Sequence, residues 1–157
     1  MKKIGPPFVK SSQIAAYLKT VLSQIRVANG YETDIGRKVL DGRRKTDETY
    51  VPYCVLIEAE DRPTPASPHG TEHAIEQDYV FGAYVECDPD HPNDAARAVI
   101  RDIKRALWGG DNGTNLGWQV QRFKYQGRDI GPRLDGEPVV FAVVHATAVY
   151  VEDIANA

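Results

Sequence analysis

A chain of 157 residues, 26% charged and 42% hydrophobic, suits one soluble domain with a sizeable core, which excludes a disordered chain. Its 19 Lys and Arg against 22 Asp and Glu leave a formal net charge of -3. That excludes a protein gripping duplex nucleic acid by overall basicity and leaves only a local patch for such a role. No apolar run reaches the roughly 18 residues a bilayer crossing needs, and MKKIGPPFVK lacks the apolar centre of a signal peptide. Cys54 and Cys87 are too few for a disulfide framework, so a reduced, cytoplasmic setting is expected.

In chain order, the first periodic signal is SSQIAAYLKTVLSQI. Ile14, Leu18, Val21, Leu22 and Ile25 form one stripe of a 3.6-residue helix. Ser11 or Ser12 is its expected N-cap, since a hydroxyl there accepts a first-turn amide, and Asn29-Gly30 its expected stop. A turn-rich segment with a short strand near residues 37–40 follows. From Tyr50 to Glu60 the chain alternates, placing Val51, Tyr53, Val55, Ile57 and Ala59 on one face, with Pro52 at the strand's start or on an edge. Residues 61–76 carry Pro63, Pro65, Pro68 and Gly70 and read as a long polar loop.

A strand from Asp78 to Cys87 then alternates through Tyr79, Phe81, Ala83, Val85 and Cys87. DPDHPND opens a second helix with Pro92 in its first turn and Asp94 at its positive end. That helix buries Ala96, Val99, Ile100, Ile103 and Leu107 and ends at Trp108-Gly109-Gly110. A Gly/Asn loop, a strand near residues 118–125 and a turn segment lead to the longest strand, Val139 to Val151. This last strand is apolar on both faces and therefore sits mid-sheet or beneath a second layer. The order predicts an α+β fold: a mainly antiparallel sheet of about four to five strands with two helices packed on one face. The whole chain reads as a single domain, with residues 1–10 and 152–157 as loose termini.

Motifs for chemistry are sparse. GGDNGTNLG lacks the Lys-Ser/Thr of a phosphate loop and follows a helix instead of opening one. DPDHPND fails the calcium-loop spacing, with Asn93 and Val99 where Gly and Glu belong, so its acids read as helix caps. His69 and His73 fall in the proline-rich loop without the metalloprotease Glu. Glu58, Glu86 and Asp88 would form a metal-dependent nuclease site only if neighbouring strands converged them. His145 reads as a satisfied core or interface histidine. No catalytic, cofactor-binding or metal residues are expected.

The basic residues are the exception. Arg37, Lys38, Arg43, Arg44 and Lys45 crowd residues 37–45, and Arg97, Arg101 and Arg105 step along the second helix opposite its core stripe, beside Lys104. They are either a solvated face with Asp94 and Asp102 as local partners, or a surface for an acidic protein partner or passing DNA. Arg37, Arg43, Arg44, Lys45, Arg97, Arg101 and Arg105 are the candidate partner or oligomer interface.

The opening helix running into ANGYETDIG, the short strand with Val39 before Gly42, DPDHPNDAARAVIRDIKRAL after a strand, and the closing Val-rich strand together resemble the tail terminator proteins of long non-contractile-tailed bacteriophages. These are the minor tail protein U type and its tail-completion relatives. The resemblance runs from about Ser11 to Asp153 and leaves the stretch from Asp61 to Glu76 unaligned. It implies a non-enzymatic virion protein at the head-proximal end of the tail, assembled in the host cytoplasm. It also implies a homo-hexameric ring that caps the tail tube protein, stops its polymerisation and offers a surface to a head-neck connector protein, with DNA passing transiently through the lumen. No cofactor and no membrane enter. Another neck or head-tail completion subunit is the alternative, and a small metal-dependent nuclease the remote one. On this reading Arg43→Glu with Arg44→Glu abolishes ring or tail joining while leaving the fold intact.

Overall fold

The computed structural model describes residues 10–42, 51–64, 70–133 and 136–155. Its elements are α1 (Lys10–Ser23), β1 (Val39–Asp41), β2 (Tyr53–Pro63), β3 (Glu72–Glu86), α2 (Pro92–Trp108), β4 (Arg122–Ile130) and β5 (Val139–Asp153). The five strands form one mixed sheet in the order β1-β2-β3-β5-β4. β1 runs parallel to β2 and the other pairs are antiparallel. Both helices pack on one face, giving an α+β domain with the expected layering.

The core lies between that face and the helices. Ile14, Leu18 and Leu22 of α1 and Ala96, Val99, Ile100, Ile103 and Leu107 of α2 meet Cys54 and Leu56 of β2, Tyr79, Phe81, Ala83 and Val85 of β3, and the even-numbered residues of β5 from Val140 to Tyr150. Register explains the match: Leu56 pairs with Phe81 and Phe81 with Val144, so one row of side chains crosses three strands on the same side. β5 sits between β3 and β4, which accounts for its two apolar faces. The alternating set of β2 takes the other side. Tyr53 pairs with Tyr84 and Val55 with Gly82, so Tyr53 and Val55 face away from the helices while Cys54 and Leu56 enter the core.

Several boundaries differ from those read in the sequence, each for a local reason. The chain is already helical at Lys10, so Ser11 and Ser12 are helix residues and not caps. α1 ends at Ser23, before Asn29-Gly30. There the Gln24 and Ile25 amides donate to the Val21 and Leu22 carbonyls three residues back, tightening the last turn. The carboxylate of Asp34 then accepts the Val27 amide at 2.9 Å, and a 3-10 turn over Val27–Asn29 is closed by Gly30 in the left-handed region at φ 90°. Leaving the helix early lets Ile25 and Ile35 bury completely. Gly36 presses on this exit, donating to the Ile25 carbonyl at 2.9 Å. A Cβ at Gly36 would lie 2.5 Å from the Leu22 carbonyl oxygen.

Of the stretch read as a loop over 61–76, residues 61–63 and 72–76 are strand. β2 continues to Pro63 and β3 begins at Glu72, with Arg62 opposite Glu76 and Pro63 opposite Ile75. The prolines counted as loop punctuation include Pro63 at the end of an outer segment of β2, where a missing amide costs no ladder bond. β4 lies at 122–130 and not at 118–125, because residues 109–119 are consumed by turns. At the C-terminal end β5 reaches Asp153, and the Ile154 amide bonds the Thr71 carbonyl at 2.9 Å.

Candidate partner-docking surface

α2 brings most of the described candidate residues together. Its apolar stripe is held against β3 and β5, so residues at intervals of four on the opposite side point to solvent. Arg97 pairs with Asp94 at 3.1 Å, one turn back. Arg101, whose side chain is 67% exposed, reaches across to Glu32 at 3.1 Å. Arg105 donates to the Gly30 carbonyl at 3.2 Å and lies 4.8 Å from the centre of the Tyr31 ring. Lys104 stands 4.5 Å above the Tyr125 ring of β4. With Arg128 of β4 and the flank of Ile100, these side chains line an open groove of about 450 Å³. Arg37 ends a separate 3-10 turn, Ile35–Arg37, and does not line this groove. Arg43, Arg44 and Lys45 lie outside the described residues.

Asp102 does not act as a surface partner for these arginines. It is fully buried, and its carboxylate accepts the Glu32 amide at 3.1 Å, the Thr33 amide at 2.7 Å and the Thr33 hydroxyl at 2.6 Å. Three donors aimed at one carboxylate fasten the ETD segment to α2. The Arg105 guanidinium approaches only to 4.0 Å. ANGYETDIG is thus a docking strap inside the subunit, and Arg101–Glu32 is its solvent-side stitch.

The sheet face turned away from the helices carries two kinds of side chain. One half is aromatic and aliphatic: Tyr84 stacks on Tyr53 at 5.2 Å and on Phe141 at 4.4 Å between ring centres, beside Val55 and Val143. The other half is a charge ladder. Arg62 holds Asp78 at 2.8 Å and Glu76 at 3.0 Å, Thr147 donates to Asp78 at 2.6 Å, and Lys124 lies 3.5 Å from Glu76. The Arg62 hydrogen bond holds the Asp78 carboxyl below its usual range. His145 Nε2 sits 3.1 Å from Asp129, on this open face and not in the core. Arg62, Asp78, His145, Thr147 and Gln126 line a shallow groove of about 410 Å³.

The Glu58, Glu86 and Asp88 set weighed from the sequence does not converge, and His69 of the His69–His73 pair lies outside the described residues. β2 and β3 are neighbours, but Glu58 pairs with Tyr79, seven residues along β3 from Glu86, or roughly 23 Å of extended chain. No three metal-ligating side chains cluster among the described residues. Cys54 is buried, which pushes its thiol up to about 12.

Sequence reading missed Trp118, the most exposed large hydrophobic residue of the described chain at 88%. It stands in a left-handed conformation at φ 71°, with Leu116 at φ 51° two residues before it. Bulky residues seldom adopt these angles, and here the surroundings impose them. Leu116 is fully buried, the Asn115 side chain accepts the Trp118 amide at 3.1 Å, and Asn112 ties the turn to Tyr17 of α1 and to Ala106 of α2. The only signal in the sequence was an indole placed within a Gly/Asn run. Neither a protein-family model nor a curated protein sequence matches the chain.

Proposed function

We propose that the protein is a tail terminator of a long-tailed bacteriophage: a non-enzymatic subunit that rings the end of the tail tube, stops its growth and presents the surface for head attachment. The observation that carries this reading is the ANGYETDIG segment. It is one of the stretches that carry the resemblance, and its Asp34 and Gly36 shape the exit of α1 while Glu32 and Thr33 strap that exit to α2. A scaffold braced in this way suits a small subunit whose work is done by its surfaces. Partners on this reading are further copies of the chain, the tail tube protein and a neck connector, with DNA only in transit.

The test is negative-stain microscopy of tails assembled with and without the protein. Tubes that overgrow in its absence, and regain uniform length when it is added, support termination. Tubes of normal length that fail to join heads would move the assignment to another neck subunit. Normal tails and normal joining would overturn the reading.

A further inference from the structure

Among the described residues, the two long edges of the sheet carry opposite charge. β2 is bordered by β1 only from Cys54 to Leu56, and beyond that its outer edge has no strand partner among the described residues. Glu58, Glu60 and Asp61 are exposed there, with exposed Asp41 at the end of β1. Glu58 and Asp41 stand close enough to repel one another, and Lys19 of α1 is the cation that lines a cleft with both. β4 forms the other edge, three strand spacings or about 14 Å across the sheet. On that side lie Arg97, Arg101, Lys104 and Arg105 of α2 with Arg128. Asp94 and Glu32 offset two of these cations, whereas Lys104 and Arg128 have no ion pair among the described residues.

Charge on a free strand edge often serves only to prevent aggregation, and both edges are further interrupted by irregular register, at Glu58/Asp61 and at Tyr125/Gly127. Those irregularities disfavour continuation of the sheet from one molecule to the next. They do not disfavour contact through side chains. For edge protection alone either sign suffices on either edge, and segregation by sign adds complementarity between molecules.

We infer that the acidic β2 edge of one copy docks in the cationic α2–β4 groove of the next. The occupant is a second copy of this chain, chosen by charge complementarity. Because the two surfaces lie on opposite edges, the contact is heterologous and repeats head to tail, closing into a ring when the rotation between copies allows it. The inference rests on the ring reading above and names the surfaces that build it.

The full chain is tested by light scattering over a wide concentration range, at about 50 mM and about 500 mM salt. Six copies of 17.4 kDa correspond to about 104 kDa. The wild type is expected to associate at low salt and to shift toward monomer at high salt. Lys104→Glu with Arg128→Glu, and separately Glu60→Lys with Asp61→Lys, should each be folded by circular dichroism and fail to associate. Mixed in equal amounts they should assemble again, because the remaining acidic edge fits the unaltered groove and the reversed edge fits the reversed groove. If the lysines unfold the edge, Glu60→Gln with Asp61→Asn should weaken association without adding bulk. Reversed variants that assemble like wild type, a mixture that stays dissociated, or a wild type monomeric at every concentration and salt would each overturn the inference. The tail-length assay is independent of these results, so a wrong interface and a wrong function are told apart.

Discussion

The two faces of the sheet answer to different physics. On the helix side, rows such as Leu56, Phe81 and Val144 are closed off from water by α1 and α2, and the turns beyond α1 are locked by a buried carboxylate. On the open side, a patch built on Tyr53, Tyr84 and Phe141 gives way to a ladder of solvent-screened charges around Arg62. One face contributes through a large area removed from water and satisfied buried polar groups, the other through a smaller apolar patch around Tyr53, Val55 and Val143 and through weak pairs. Stability is therefore concentrated on one side and chemical variety on the other.

Truncating a ring on each face tests that contrast directly. Phe81→Ala empties a fully buried site and should lower unfolding free energy by about 3–5 kcal/mol. Removing Asp102 probes the same side: Asp102→Ala strands two amides and a hydroxyl and should cost about 3 kcal/mol, with loss of amide-exchange protection at Glu32 and Thr33. Phe141→Ala, on the open face, leaves a half-buried stack over Tyr84 and should cost only about 1–2 kcal/mol. Urea unfolding of the three variants ranks them, and equal losses for Phe81 and Phe141 would break the distinction between the faces.

The smallest expected effect belongs to the β2 edge. Partial burial, and then the neighbouring Asp41, raise the Glu58 carboxyl above its ordinary 4.5. The folded state therefore binds this proton more tightly than the unfolded chain. Its contribution falls as pH rises through the window above about 4.5 and is neutral well below it. Glu58→Gln should raise the melting temperature at pH 7 by an amount worth well under about 1 kcal/mol, with no gain at pH 3. A gain that persists at low pH would trace to packing and not to charge. Asp78 runs the other way. Its lowered carboxyl contributes stability above the ordinary carboxylate range, lost as pH falls through it.

Much of the helix side was legible in advance. The stripes of both helices, the Pro92 start and Gly109 stop of α2, and the central place of β5 all follow from local periodicity and cap chemistry. Strand ends were harder to read. Pro63, Arg62 and Glu76 look like loop residues until pairing places them on adjacent strands. The arginine row of α2 was visible by spacing, but its enclosure by Arg128 was not, since β4 returns alongside α2 only in three dimensions. Asp102 misled because a charged residue on a helix reads as surface, and its three donors come from a segment about 70 residues earlier.

Local sequence was enough to specify an α+β domain, the apolar faces of its two helices, and the concentration of cations along α2. Those properties depend on residues a few positions apart, where periodicity and capping act. Long-range packing turns the β2 stripe away from the helices, buries and satisfies Asp102, holds Trp118 out to solvent, and, among the described residues, puts opposite charges on opposite edges of the sheet. Each of these depends on strand register and on contacts between distant segments, and a one-residue slip in register exchanges the faces.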